Sequence, residues 1–312
     1  MNKQIVHVEP VYKERIWGGT LIKTRFHAQS DVDHIGEMWC VCAMKDNGDN
    51  VITELGLCLS EVYKTIPEWF GCRSDKFPIR CTFIDPIEDV SIQVHPNDIY
   101  AKTYSNSQGK NEAWYILETE TNHSTQLGHK ANSKDEFRKL AQSHKWDELL
   151  TYIQLNPGDF VDVPYGTVHA IGQNTVVFEI ASNADITYRI YDYDRIDIKT
   201  GTQRDLHLEK ALDVISFPHS ERSIIHPESV CINNCLVSNF IDEAGKYTLK
   251  RVEVKSVGEF VYSHFYFITI IAGGGSVNGI SVTEGNTLLV PQEFGPVTFT
   301  GPFIALISSY HD

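Results

Sequence analysis

Gly158-Asp159-Phe160-Val161-Asp162-Val163-Pro164-Tyr165-Gly166-Thr167-Val168-His169 sets the architecture of this chain. Gly158 and Asp159 make a turn into a short strand. Pro164, which lacks an N–H and cannot continue a ladder, ends it. Gly166 permits the sharp bend that aims His169 back toward the strand's own layer. His169 lies between Val168 and Ala170, on a segment that should line a cavity. One such histidine is ordinarily a satisfied core residue. It becomes a ligand candidate only if other donors converge on it. Outward from this segment, alternating or apolar runs predict strands at 90–95, 113–117, 160–163, 175–180, 247–254, 260–271, 287–290 and 304–308. Helices are expected at 60–70, after the capping-box spacing Ser133-Lys134-Asp135-Glu136, and at 206–215. Many short strands with few helices favour sandwiches or jelly rolls over a doubly wound sheet.

The chain has 312 residues, 42% apolar and 22% charged, enough to bury a sizeable core. Lys and Arg number 27 against 41 Asp and Glu, a formal charge of −14. That balance argues against nucleic acid or an anionic membrane as partner, because polyanions need a basic face. It leaves room for a small anion in a pocket where a few cations set the local sign. Residues 1–10 contain no apolar signal-like run, and 265–272 is far shorter than the roughly 20 residues of a membrane helix. The expected location is therefore cytoplasmic. Seven cysteines without a C-x-x-C pair read as reduced thiols. A boundary is expected near 216–235, giving a larger domain over 1–220 that holds His169 and a smaller β-domain over 221–312 that packs directly on it. Gly273-Gly274-Gly275 reads as a hairpin turn.

Two further segments carry chemistry. In Val90-Ser91-Ile92-Gln93-Val94-His95-Pro96, alternation puts Ser91, Gln93 and His95 on one face and the three aliphatic residues on the other. In Gly109-Lys110-Asn111-Glu112-Ala113-Trp114-Tyr115, Glu112 enters an apolar strand, where an unpaired carboxylate would be costly, and Lys110 shares its face. Gln93, His95, Glu112 and His169 together form an N/O donor set suited to Zn²⁺ at roughly 2.0–2.2 Å, and spacing alone also admits Fe²⁺ or Mn²⁺.

The 158–169 segment matches the second cupin motif, G-x5-P-x-G-x2-H-x3-N, except that Gln173 stands at the final Asn, with Asn174 beside it. The usual cupin H-x-H is here Gln93-x-His95. With Arg15-Ile16-Trp17-Gly18-Gly19, Ile35-Gly36-Glu37-Met38-Trp39, Gly109 to Tyr115, Pro164 to Ala170 and Thr187 to Arg195, the chain resembles the type I mannose-6-phosphate isomerases in their short bacterial form. The resemblance implies a cupin-type jelly-roll β-barrel with a few short helices, followed by a smaller cupin-like β-domain without metal ligands. It implies one Zn²⁺ per chain on Gln93, His95, Glu112 and His169. It also implies a catalytic Arg189, a Lys110 beside the metal, a Ser91 near substrate and an Arg195 toward the phosphate. Two departures stand out: the helical insertion of longer members shrinks to 133–151, and no basic residue follows His95-Pro96.

The implied reaction interconverts mannose 6-phosphate and fructose 6-phosphate by proton transfer between C1 and C2 through an enediol or enediolate. It needs a base, oxyanion stabilisation and a phosphate handle. Lys110, a zinc-bound hydroxide and a carboxylate all remain open as the base. Two rival readings are a metal cupin of another class, such as an iron-dependent dioxygenase, and an inactive sugar-binding paralogue.

Overall fold

The computed structural model describes residues 2–120 and 124–312. Three antiparallel sheets dominate it. A seven-stranded sheet is formed by Val11–Gly19, Ile35–Val41, Ile79–Ile84, Val176–Ser182, Glu112–Glu118, Phe160–Val163 and Ile224–Ile225. A five-stranded sheet faces it, with Tyr188–Tyr191, Ile92–Val94, His169–Ala170, Ser124–His129 and Leu150–Gln154. A ten-stranded sheet gathers the strands from Ser229–Ile232 onward together with Val6–His7, which pairs with Thr287–Val290. This is the mainly β architecture expected from the strand pattern, with the cupin-type arrangement that the resemblance implied.

Period-2 alternation explains how the layers stack. In Glu112–Glu118, Ala113 and Tyr115 point outward, while Glu112, Trp114 and Ile116 point inward. In Ile79–Ile84, Ile79, Cys81 and Phe83 take the outward side, and Arg80, Thr82 and Ile84 line the inside. The outward faces meet the ten-stranded sheet in one core, where Phe77 packs against Phe265 and Phe267 and Phe83 packs on Phe178. The two edge-to-face pairs among these, Phe77 with Phe267 and Phe83 with Phe178, add about 0.5–1.5 kcal/mol each beyond area burial. The inward faces close on the five-stranded sheet with an apolar plug of Trp17, Trp114, Leu127 and Ile171 at one end. Polar residues occupy the other end.

Most expected elements appear. Helix Lys134–Gln142 starts at Ser133, whose Oγ accepts from Glu136 N, while Glu136 Oε2 accepts from Asn132 N. The expected 60–70 helix is shorter. It runs Leu59–Thr65 from a cap at Cys58 and gives way to a single 3₁₀ turn at Pro67–Trp69, because Pro67 cannot continue the α-helical ladder. The 206–215 helix occupies Leu208–Val214.

Gly273-Gly274-Gly275 is not a turn. It lies inside the strand Tyr266–Val277 and pairs with Ile280–Thr283, and the chain reverses at Asn278-Gly279 instead. The glycines answer a packing demand: a Cβ on Gly275 would sit 1.9 Å from Thr300 O, and one on Gly273 would sit 2.5 Å from Pro302 O. Within 216–235, Ile224–Ile225 adds to the edge of the seven-stranded sheet at Phe160-Val161, and Ser229–Ile232 opens the ten-stranded one.

Candidate active site

The polar end of the gap between the seven- and five-stranded sheets is a cavity of about 390 Å³. On one wall, Ile92–Val94 is the centre of a cross-strand row, with Gln93 opposite His169 on one side and Arg189 on the other. On the facing wall, Glu112 begins its strand, and Glu179 lies opposite Trp114 on the neighbouring strand. The bend through Gly166 is tied down by its N–H donating to His95 O, so the two histidine segments are fixed to each other. A side chain at Gly166 would meet Ser216 Oγ at 2.4 Å, and its φ of +80° lies in the left-handed region.

His95, Glu112 and His169 are each almost fully buried, and their donor atoms lie within 4.8 Å of one another. His95 Nδ1 donates to Ile186 O at 2.7 Å, and His169 Nδ1 donates to Thr167 O at 2.9 Å. A carbonyl can only accept, so Nδ1 carries the hydrogen and the neutral tautomer this allows turns an Nε2 lone pair inward in each ring. Those lone pairs face Glu112: His95 Nε2 lies 3.2 Å from Oε2, and His169 Nε2 lies 3.2 Å from Oε1. Acceptor therefore faces acceptor in a buried site, and among the described residues His95 Nε2 has no hydrogen-bond partner. Burial pushes the His169 pKa down to about 4, so protonation of that ring does not relieve the clash at neutral pH.

A cation resolves the arrangement. Two imidazole nitrogens and a carboxylate, with backbone carbonyls holding the outer nitrogens, form a donor set and outer shell that fit Zn²⁺. Gln93 presents its amide nitrogen 3.4 Å from His169 Nε2, and a half-turn of the carboxamide would bring the oxygen there. Its oxygen at present accepts from Ser91 Oγ at 3.3 Å, and that hydroxyl accepts from Arg189 Nε at 3.3 Å. Ser91 thus links the donor cluster to the arginine.

Lys110, also buried, lies 2.6 Å from Glu112 Oε2 and 3.1 Å from Glu179 Oε2. Burial alone would lower its pKa, but the two carboxylates raise it above the usual lysine value, so it is an ammonium. Burial alone would raise the Glu112 pKa, but Lys110 holds it well below the usual carboxylate range. Burial raises the Glu179 pKa, helped by the Glu112 charge and opposed by Lys110 and Arg80. The network continues from Glu179 Oε1 to Arg80 at 3.0 Å and from Arg80 to Asp185 at 3.3 Å. Arg80 also stacks on Trp39, whose Nε1 donates to Glu37 at 2.6 Å.

Gln93, His95, Glu112, His169, Lys110, Ser91 and Arg189 are therefore brought together. Arg195 is not among them: it lines a neighbouring cavity and bonds Asp192, the Asp89 carbonyl and Glu88. Arg80, Glu179 and Arg204, all lining the cavity, lie outside the quoted motifs, while Glu37 stands within Ile35 to Trp39 with no role assigned to it there. Arg80 and Glu179 each stand out as the lone charge of a largely apolar strand, a local signal that does not state which cavity they reach.

The family model "Phosphomannose isomerase type I, catalytic domain" matches residues 5–145. The probable mannose-6-phosphate isomerase GmuF of Bacillus subtilis is 36% identical over 96% of this chain and 98% of its own. The crystal structure of the mannose 6-phosphate isomerase from Bacillus subtilis superposes with a TM-score of 0.93 at 31% identity, covering 98% of this chain and 99% of that one. A mannose 6-phosphate isomerase solved with zinc bound shares the fold, with a TM-score of 0.77 at 12% identity over 99% and 100% of the two chains. The motifs, the three-sheet architecture and near-complete coverage by these relatives agree: the chain belongs to the type I phosphomannose isomerase family.

Proposed function

We propose that this chain interconverts mannose 6-phosphate and fructose 6-phosphate with one Zn²⁺ held by Gln93, His95, Glu112 and His169. One observation carries the reading: two inward imidazole lone pairs and a buried carboxylate face each other at the end of an arginine-lined cavity large enough for a hexose phosphate. The relatives' names support the substrate, and the zinc-bound neighbour supports the metal. The chemistry is carried by 1–220, while 221–312 adds Ile224–Ile225 to the edge of the seven-stranded sheet and otherwise packs behind it.

When bound, zinc would supply a Lewis acid beside the sugar's C1 and C2 oxygens. Lys110 is an ion-paired ammonium, so it serves as a hydrogen-bond donor to oxyanion character rather than as the base. The base is then sought among the acceptors of the cavity. Glu179 fits better than Asp185, because burial raises the Glu179 pKa while Arg80 outweighs burial at Asp185 and holds it down at about 2. Arg189, tied by Nε to Ser91 and by NH1 to Asp205 O, keeps its remaining edge for the substrate. Burial between sheets keeps bulk water from the enediolate.

The test is a coupled assay of mannose 6-phosphate conversion in metal-stripped, zinc-loaded and His95→Ala protein, with deuterium uptake at C1 or C2 read by mass spectrometry. Zinc-dependent turnover that is lost in His95→Ala supports the proposal. Stoichiometric zinc without isomerisation refutes it, and iron loading with oxygen consumption would favour the dioxygenase reading.

A further inference from the structure

Resting on the isomerase reading, we propose that the substrate phosphate is gripped by Arg204 and Arg15 beside Arg189, with Asp192 and Arg195 as positioning residues behind Arg204. The three arginines line the same cavity as Gln93 and Glu112 of the donor cluster. Their hydrogen bonds are distributed so that each retains one free terminal nitrogen. Arg204 gives Nε and NH2 to Asp192 at 2.7 and 2.6 Å, and its NH1 has no partner among the described residues. Arg15 gives Nε and NH2 to Glu37 at 2.9 and 3.0 Å, again leaving NH1. Arg189 gives Nε to Ser91 and NH1 to Asp205 O, leaving NH2. A guanidinium held by a carboxylate on one edge is fixed in direction and offers the rest of its fork to a second oxyanion.

The backbone builds this corner. Arg189 NH1 reaches the carbonyl of Asp205, the residue next to Arg204, at 3.0 Å, and His207 N donates to Arg189 O at 2.7 Å. The 204–207 segment is therefore laced to the strand that carries Arg189. On the opposite wall, Gly36 makes room for Arg15: a Cβ there would lie 2.5 Å from Arg15 Cβ. The charge balance suits a dianion. Glu37 neutralises Arg15 and Asp192 neutralises Arg204, but Arg189 bonds a hydroxyl and a carbonyl and has no carboxylate partner among the described residues. The corner is net cationic inside an acidic protein.

Arg195 acts one step back. Its NH2 donates to Asp192 Oδ1 at 2.6 Å, the same oxygen that accepts from Arg204 NH2, and its NH1 is anchored on Asp89 O at 2.8 Å. It braces the buried carboxylate that aims Arg204.

The experiment measures KM and kcat for mannose 6-phosphate, and inorganic phosphate binding by calorimetry, in the zinc-loaded wild type, Arg204→Gln, Arg15→Gln, Arg195→Gln and Arg195→Lys. Expected for Arg204→Gln and Arg15→Gln is a KM rise of about 10- to 100-fold with kcat changed less than about threefold, and phosphate affinity falling by the same factor. Arg195→Gln gives a smaller rise that Arg195→Lys restores in part. Unchanged KM and phosphate affinity in both Arg204→Gln and Arg15→Gln would overturn the proposal, as would a loss confined to kcat. Phosphate binding needs no turnover, so failure of the isomerase reading would appear separately, as a wild type that binds phosphate and converts no substrate.

Discussion

Replacing Glu112 by glutamine keeps the side chain's shape and removes one negative charge from an almost fully buried position. Oε1 accepts from Trp114 Nε1 at 2.9 Å, which holds the amide oxygen there and sends the new NH2 to the Oε2 position. There it meets Lys110 Nζ at 2.6 Å, donor against donor, and His95 Nε2 at 3.2 Å, which it can bond. Stripping a buried ion of its partner costs about 3–5 kcal/mol. Lys110 keeps Glu179, and the bond to His95 returns about 1 kcal/mol, so the metal-free variant loses about 1–3 kcal/mol. Zinc binding suffers more. At an effective dielectric of about 20, even a unit-charge attraction at about 4 Å is worth about 4 kcal/mol, or roughly three powers of ten in affinity. The assay is thermal melting of stripped protein with and without zinc, together with a competitive zinc titration. At about 100 times Kd, zinc adds about 2.7 kcal/mol to the wild type, which for 312 residues is a rise of about 4 °C. Glu112→Gln shows no rise at the same free zinc. A variant that binds zinc within tenfold of wild type and melts with the same shift would refute the reasoning.

Lys110→Met leaves Glu112 and Glu179 facing each other without their shared cation, so the protein loses about 3–5 kcal/mol at neutral pH. Part of that loss is recovered as pH falls and the carboxyls take up protons, which chemical denaturation at pH 7 and pH 5 would show. Asp242 is pushed up by burial, but Lys250 at 2.5 Å and His311 at 3.0 Å outweigh that and hold its pKa at about 2. Its folded value lies below the unfolded 3.8, so its contribution, cut by solvent screening at an exposed site to about 1 kcal/mol or less, is present above pH 4 and lost as pH falls through 2. Asp242→Asn therefore lowers stability at pH 7 and flattens the acid limb, with isomerase activity unchanged. Phe265→Ala opens a hole in the core behind the seven-stranded sheet, beside Phe70 and Phe77. It costs about 3–5 kcal/mol, a fall of about 5–8 °C in Tm with the zinc affinity retained.

Much of the site was legible because strands alternate. Ser91, Gln93 and His95 share a face by spacing alone, and Gly166 and Pro164 announce the bend that returns His169 to a position opposite Gln93. Glu112 at the head of an apolar strand needed a cation nearby, and Lys110 and the imidazoles supply the context. Less legible was anything that depends on which strands become neighbours. Glu179 and Arg80 reach the cavity because Val176–Ser182 pairs with both Glu112–Glu118 and Ile79–Ile84, a register that no local pattern states. Arg204 and Arg195 differ only in where the hairpin between Ile196–Asp197 and Thr202–Gln203 leaves each side chain. The run Gly273-Gly274-Gly275 resembles a turn until the close approach of Thr300 O and Pro302 O shows why a strand needs those glycines.

The central claim is that the inward histidine lone pairs and Glu112 are the seat of a zinc ion on which isomerisation depends. Anomalous diffraction at the zinc edge from crystals of the zinc-loaded protein tests it most directly. The account predicts one peak between the two sheets, at about 2.0–2.2 Å from donor atoms of Gln93, His95, Glu112 and His169. A protein that turns over mannose 6-phosphate but shows no peak there, or shows its zinc only elsewhere, would contradict it.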